Sequence, residues 1–112
     1  MKMDVKRNIV AEISVVPLGT EHPGVSQYVA ACIASIKDRH DIRYQLTPMG
    51  TIMEGTMDAV LGALKNMHEV PFQKGAQRVM TTLKIDDRRD KHLTMKGKME
   101  SVIKARSDVT GI

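Results

Sequence analysis

Residues 42–54 read IRYQLTPMGTIME, and this stretch decides the fold. Ile42, Tyr44 and Leu46 alternate with Arg43, Gln45 and Thr47, the period of two expected of a strand with one apolar face. Thr47, Pro48, Met49 and Gly50 follow, with Pro at the second and Gly at the fourth position of a type I turn. Thr51 to Glu54 is therefore expected to return as the second strand of a hairpin. Gly55 and Thr56 then break the strand and offer an N-cap.

Moving outward toward the N-terminus, Val25, Tyr28, Val29, Cys32, Ile33 and Ile36 have helical spacing, which predicts an amphipathic helix. Leu18 to Gly24, with two Gly and one Pro, reads as a loop. Before it, Ile9, Ala11, Ile13 and Val15 hold one parity of a β-branched run that ends at Pro17, while Val10, Glu12, Ser14 and Val16 give a mixed second face. Toward the C-terminus, Met57, Val60, Leu61, Leu64 and Met67 predict a second helix, which Pro71 should stop. Past a loop around Lys74 and Gly75, Val79, Thr81, Leu83 and Ile85 alternate with Arg78, Met80, Thr82 and Lys84 as a fourth strand. Met95, Met99, Val102 and Ile103 predict a third helix capped by Asp90 or Thr94, and Ser107 to Ile112 should fray.

The order β-α-β-β-α-β-α is the ferredoxin-like α+β arrangement: a four-stranded antiparallel sheet with two helices on one face and an additional C-terminal helix. A chain of 112 residues fits one domain, residues 1–112 with a core of about 8–106. The uncovered sheet face carries Val10, Val16 and Met80, so it needs either the third helix or another subunit, and a homo-oligomer built through sheets and strand edges is expected.

Composition narrows the function classes. The chain is 42% hydrophobic and 27% charged with net charge +4, as in an ordinary globular protein. It contains no apolar run of the roughly 18–20 residues needed to span a bilayer. Met1 to Asn8 lacks the apolar segment of a signal peptide, so a cytoplasmic, non-membrane protein is expected. A single cysteine, Cys32, excludes an intramolecular disulfide and a multi-cysteine zinc site, and is expected to act as a small buried hydrophobe.

The first half carries 6 basic and 6 acidic residues and the second 11 and 7. The excess lies in Lys84 to Arg106, but Asp86, Asp87, Asp90 and Glu100 dilute it, which favours a solvated face over a nucleic-acid surface. Of the aromatics Tyr28, Tyr44 and Phe72 only one lies on a strand, a weak platform for stacking bases. His22, His40, His68 and His92 fall on a loop and helix ends, where solvated imidazoles are expected rather than metal ligands. No Gly-rich phosphate loop, spaced His pair, Cys-x-x-Cys or Gly-x-Ser-x-Gly is present, so no catalytic residues are assigned.

Polar residues interrupt otherwise apolar elements at Ser14, Thr51, Glu54, Thr81 and Thr82, and one shared sheet is expected to let them converge. Glu54 is the sharpest candidate, ending a strand before a helix N-terminus whose dipole favours a carboxylate. A plain capping acid is the alternative.

Further residues are distinctive in combination: Pro17 with Gly19; Ser26, Tyr28 and Val29; Tyr44, Pro48, Met49, Gly50, Thr51, Glu54 and Gly55; Gly75, Ala76, Arg78 and Val79; Lys84, Asp86, Arg88 and Asp90. From about Asn8 to Arg106 this pattern resembles the small thiamine-binding protein family. The resemblance implies a ferredoxin-like fold, assembly into dimers and tetramers, and binding of thiamine or its hydroxymethylpyrimidine part without known catalysis.

Thiamine suits these residue types. A buried carboxylate, Glu54, would accept from the exocyclic amine and oppose the thiazolium charge, while hydroxyls of Ser14, Thr51 or Thr81 satisfy the remaining polar edges. Tyr28 or Met53 would pack against a ring, and Pro17 and Gly19 would shape the rim, unless they only end a strand and make a turn. Arg88, Arg89 and Lys91 either bind the phosphate of a phosphorylated ligand or pair with Asp86, Asp87 and Asp90. The expectation is thus a homotetramer, a dimer of dimers, that binds the vitamin for buffering or sensing and uses no other cofactor. A protein-interaction module without a ligand, or an enzyme using Glu54 and a histidine, are the alternatives.

Overall fold

The computed structural model describes residues 7–106. Along them run β1 (Asn8–Leu18), α1 (Ser26–Ala34), β2 (Ile42–Thr47), β3 (Gly50–Thr56), α2 (Met57–Gln73), β4 (Arg78–Asp86) and α3 (Met95–Ala105). The strands form one antiparallel sheet in the order β2-β3-β1-β4, so the fold is the expected ferredoxin-like α+β arrangement with α3 appended. The expected fraying of residues 107–112 lies outside the described residues, as does most of the N-terminal segment.

Register assigns each side chain to a face. Ile9, Ala11 and Ile13 of β1 oppose Gly55, Met53 and Thr51 of β3, and Ala11 and Ile13 also oppose Ile85 and Leu83 of β4. With Cys32 and Ile36 from the first helical segment and Ala59, Val60, Ala63, Met67 and Val70 from α2, this parity builds the core. Ile9, Ile13, Ile36, Met53 and Val60 are essentially inaccessible; burying each such side chain contributes about 1.5–3 kcal/mol.

Three elements depart from their expected bounds. The first helix closes at Ala34 because the Ser35 hydroxyl donates to the Cys32 carbonyl at 2.6 Å, competing with the helical ladder; Ile36 N–H bonds only as far back as Ile33. Gly55 continues β3 instead of breaking it. A Cβ there would meet the Asp41 carbonyl at 3.0 Å and Ile42 Cγ2 at 3.1 Å, so the missing side chain lets β2 approach. Thr56 does cap α2, accepting from Ala59 N–H at 3.2 Å.

Pro71 does not stop α2, which continues to Gln73. A proline at this position removes the N–H that would reach the Met67 carbonyl, four residues back. The Cys32 thiol from α1 donates to that carbonyl instead, at 3.4 Å, so the helix loses a rung without leaving an orphaned acceptor. Burial pushes the thiol pKa up and keeps Cys32 in the protonated form this bond needs.

The second sheet face is covered only in part. α3, capped by Thr94 accepting from Gly97 N–H at 2.8 Å, packs toward β3, and Val10, Glu54 and Leu93 are buried at this end. At the other end Val16 and Met80 stay exposed. No helix among the described residues is long and apolar enough to cross a membrane.

Candidate functional site

The C-terminal half of β1, the start of α1 and the β2–β3 turn enclose an apolar cleft of about 280 Å³. Ile13, Val15, Val25, Val29, Cys32, Leu46 and Met67 supply its walls. The turn is held by two bonds: the Thr47 hydroxyl donates to the Gly50 carbonyl at 2.9 Å and accepts from Met49 N–H at 3.4 Å. Gly50 seats the turn against β1, since a Cβ there would come within 2.9 Å of the Ile13 carbonyl. Met49 stands 82% exposed at the rim.

Thr51 lies on the cleft-facing side of β3 and is 3% exposed. Its hydroxyl bonds to no described residue. Among the described residues no fully enclosed side-chain oxygen lacks a partner, so this hydroxyl keeps its remaining contact with the cleft. A polar group held in an apolar wall without a partner costs free energy until something bonds to it.

The expected hollow shared by a carboxylate and several hydroxyls is not formed. Thr51 and Glu54 are three residues apart on one strand and so project from opposite faces. Ser14 contributes to the cleft, yet its side chain has the parity of Thr82 and Val16 on the open face. Thr81 is on the helix side but is engaged elsewhere: His68 Nδ1 lies 2.7 Å from its hydroxyl, and the His68 ring meets Phe72 edge-on with centroids 5.5 Å apart. Met53 is sealed in the core and Pro17 is buried. Gly19 (φ +75) and Tyr28 line a separate polar groove of about 640 Å³ with Lys74 and Arg78.

Glu54 lines a third hollow, about 370 Å³, on the open side of the sheet with Asn8, Arg43, His92, Thr94 and Lys96. Asp41 at its edge is held by Arg39, whose Nε and Nη2 donate at 3.0 and 2.8 Å; these bonds lower the Asp41 pKa. Of the basic stretch, Arg88 pairs with Asp90 at 2.6 Å and Arg89 with Asp87 at 3.0 Å, while Lys91 has no ion pair among the described residues and Asp86 is taken by Lys98 of α3. The Arg88 guanidinium donates to Asp90 and lowers that carboxyl's pKa. His68 also departs from expectation. It sits within α2, half-buried and hydrogen-bonded, and its helical offset of four from Phe72 was the available signal.

Fold and cleft together define a small ferredoxin-like α+β domain with a single-ring-sized apolar recess between its first helix and its hairpin. The family model described as thiamine-binding protein matches residues 11–103, and the chain belongs to that family. Among its relatives, UPF0045 protein YqgV of Bacillus subtilis is 45% identical over 98 residues, covering 85% of this chain and 94% of that protein. A UPF0045 protein of Methanothermobacter thermautotrophicus is 45% identical over 95 residues, covering 84% and 95%. The crystal structure of hypothetical protein MJ1052 from Methanocaldococcus jannaschii superposes with a TM-score of 0.77 at 38% identity, covering 86% of this chain and 96% of that one.

Proposed function

We propose that the protein binds thiamine, or its hydroxymethylpyrimidine part, in the apolar cleft, without catalysing a reaction on it. Membership of a family described as thiamine-binding supplies the ligand class. The observation that carries the reading is Thr51, a residue 3% exposed whose hydroxyl has no described partner, in the wall of a mainly apolar recess. A heteroaromatic ring buries its faces against Val15, Val29 and Met67 while one ring nitrogen or the exocyclic amine bonds to that hydroxyl. At about 280 Å³ the recess lies just below the range of about 300–1,000 Å³ usual for drug-sized ligands. It therefore suits the pyrimidine, with the cationic thiazolium directed past Met49 into water, where its charge stays solvated.

Buffering or sensing of the vitamin in the cytoplasm is the role this reading assigns. The exposed Val16 and Met80 support a homotetramer assembled through the open sheet face, which native mass spectrometry would read as four subunits. Titration calorimetry tests the binding itself. Heat is expected with thiamine and with hydroxymethylpyrimidine, and Thr51→Val should weaken both about tenfold, or 1.4 kcal/mol. Absence of heat at millimolar ligand would remove the proposal.

A further inference from the structure

Glu54 is 8% exposed, and no hydrogen bond or ion pair among the described residues reaches its carboxylate. Among the described residues no fully enclosed side-chain oxygen is left without a partner, so the carboxylate oxygens open into the hollow that Glu54 lines. Burial of a charge without a partner is among the costlier things a fold can do, and such groups ordinarily find a counter-charge. Two cations are at hand. Arg43 sits opposite Glu54 in the β2–β3 register, and Lys96 comes from the first turn of α3; both are exposed at the wall of the same hollow, and neither has an ion pair among the described residues.

A buried anion at the floor and cations at the wall, separated by open space, fit a molecule that carries both signs. The geometry points to a second small-molecule site at Glu54, on the sheet face opposite the apolar cleft, for a zwitterion. Its amino or other N–H-bearing cationic end bonds to the Glu54 carboxylate, and its carboxylate or phosphate end meets Arg43 and Lys96. An anion alone would leave Glu54 uncompensated and be repelled by it. A cation alone would meet the two positive side chains at the wall. A free α-amino acid has the required chemistry: its ammonium carries the N–H donors and its carboxylate the opposite charge.

The site is tested in the full chain carrying Thr51→Val, which weakens the cleft about tenfold, with shifts read at the residues that line the Glu54 hollow. Chemical-shift titration is run with individual α-amino acids. Methylamine and acetate serve as single-charge controls. At least one zwitterion is expected to bind about tenfold more tightly than the controls that make up its halves. Glu54→Gln, nearly isosteric, and separately the surface pair Arg43→Met with Lys96→Met, should each abolish that advantage. If no zwitterion outbinds its halves, or if Glu54→Gln leaves the advantage intact, the site does not exist as described. Either result is distinguishable from failure of the cleft reading, which is measured at Thr51 in the otherwise unaltered chain.

Discussion

Replacing Cys32 by Ala should destabilise the protein strongly only while Pro71 is present. The thiol fills core volume and, at 3.4 Å, also occupies the Met67 carbonyl that Pro71 leaves without its helical donor. Cys32→Ala therefore removes buried apolar volume at about 1 kcal/mol and leaves a buried acceptor empty at about 1 kcal/mol more. In a Pro71→Ala background residue 71 regains an N–H, which bonds Met67 in the ordinary helical way. The same cysteine substitution then costs only the packing portion. Because a thiol is a weak donor, the coupling is about 0.5–1 kcal/mol, positive in the sense that Pro71 makes Cys32 matter more. Urea unfolding of the four proteins of the cycle measures it, and the effect of Pro71→Ala on the unfolded chain cancels within the cycle. Additivity within about 0.3 kcal/mol would refute the claim that the thiol replaces a missing helical bond.

Further consequences are open to measurement. Thr51→Val should raise stability by about 1 kcal/mol in the absence of ligand, because it removes an unbonded hydroxyl from an apolar wall. A fall in the melting temperature would mean that the hydroxyl is already satisfied. Glu54→Gln should likewise stabilise the free protein, by about 1–3 kcal/mol on the cost of an unpaired buried group, and denaturation showing a loss would indicate a counter-charge at Glu54. Gly50→Ala should cost about 1–3 kcal/mol, since the new Cβ meets a backbone carbonyl at 2.9 Å that cannot rotate away; an unchanged unfolding midpoint would contradict the close seating of the turn. Hydrogen bonds from Arg39 lower the Asp41 pKa, so the stabilisation from this pair is complete above the ordinary aspartate pKa and is lost as pH falls toward the depressed value. Arg39→Met should flatten that acid limb, and a pH–stability profile identical to the parent's would show that the pair contributes nothing.

Much of the fold was legible because its period is written in β-branched and apolar residues. The parity of Ile9, Ala11, Ile13 and Val15, the turn Thr47 to Gly50 and the helical spacing from Met57 to Met67 each appear where the pattern puts them. The misreadings have local causes whose partners are distant in sequence. Pro71 reads as a helix stop until Cys32, far upstream, is seen to occupy the freed carbonyl. Gly55 reads as a strand breaker until Asp41 and Ile42 are seen to need its missing Cβ. The candidate site was legible as a set of residue types but not as a place. Thr51 and Glu54 stand an odd number of positions apart, which already assigns them to opposite faces of a strand, and Ser14 and Ile13 differ in the same way. That His68 would claim Thr81 depends on how α2 lies across β4, which no local pattern contains.

The proposed function places the vitamin's pyrimidine in the recess between α1 and the β2–β3 turn. A crystal structure of the protein grown with thiamine locates the ring directly. The ring is expected between Val29 and Met67 with one of its nitrogens within about 3 Å of the Thr51 hydroxyl oxygen. A ring found on the opposite sheet face against Glu54, with the recess empty, would contradict it.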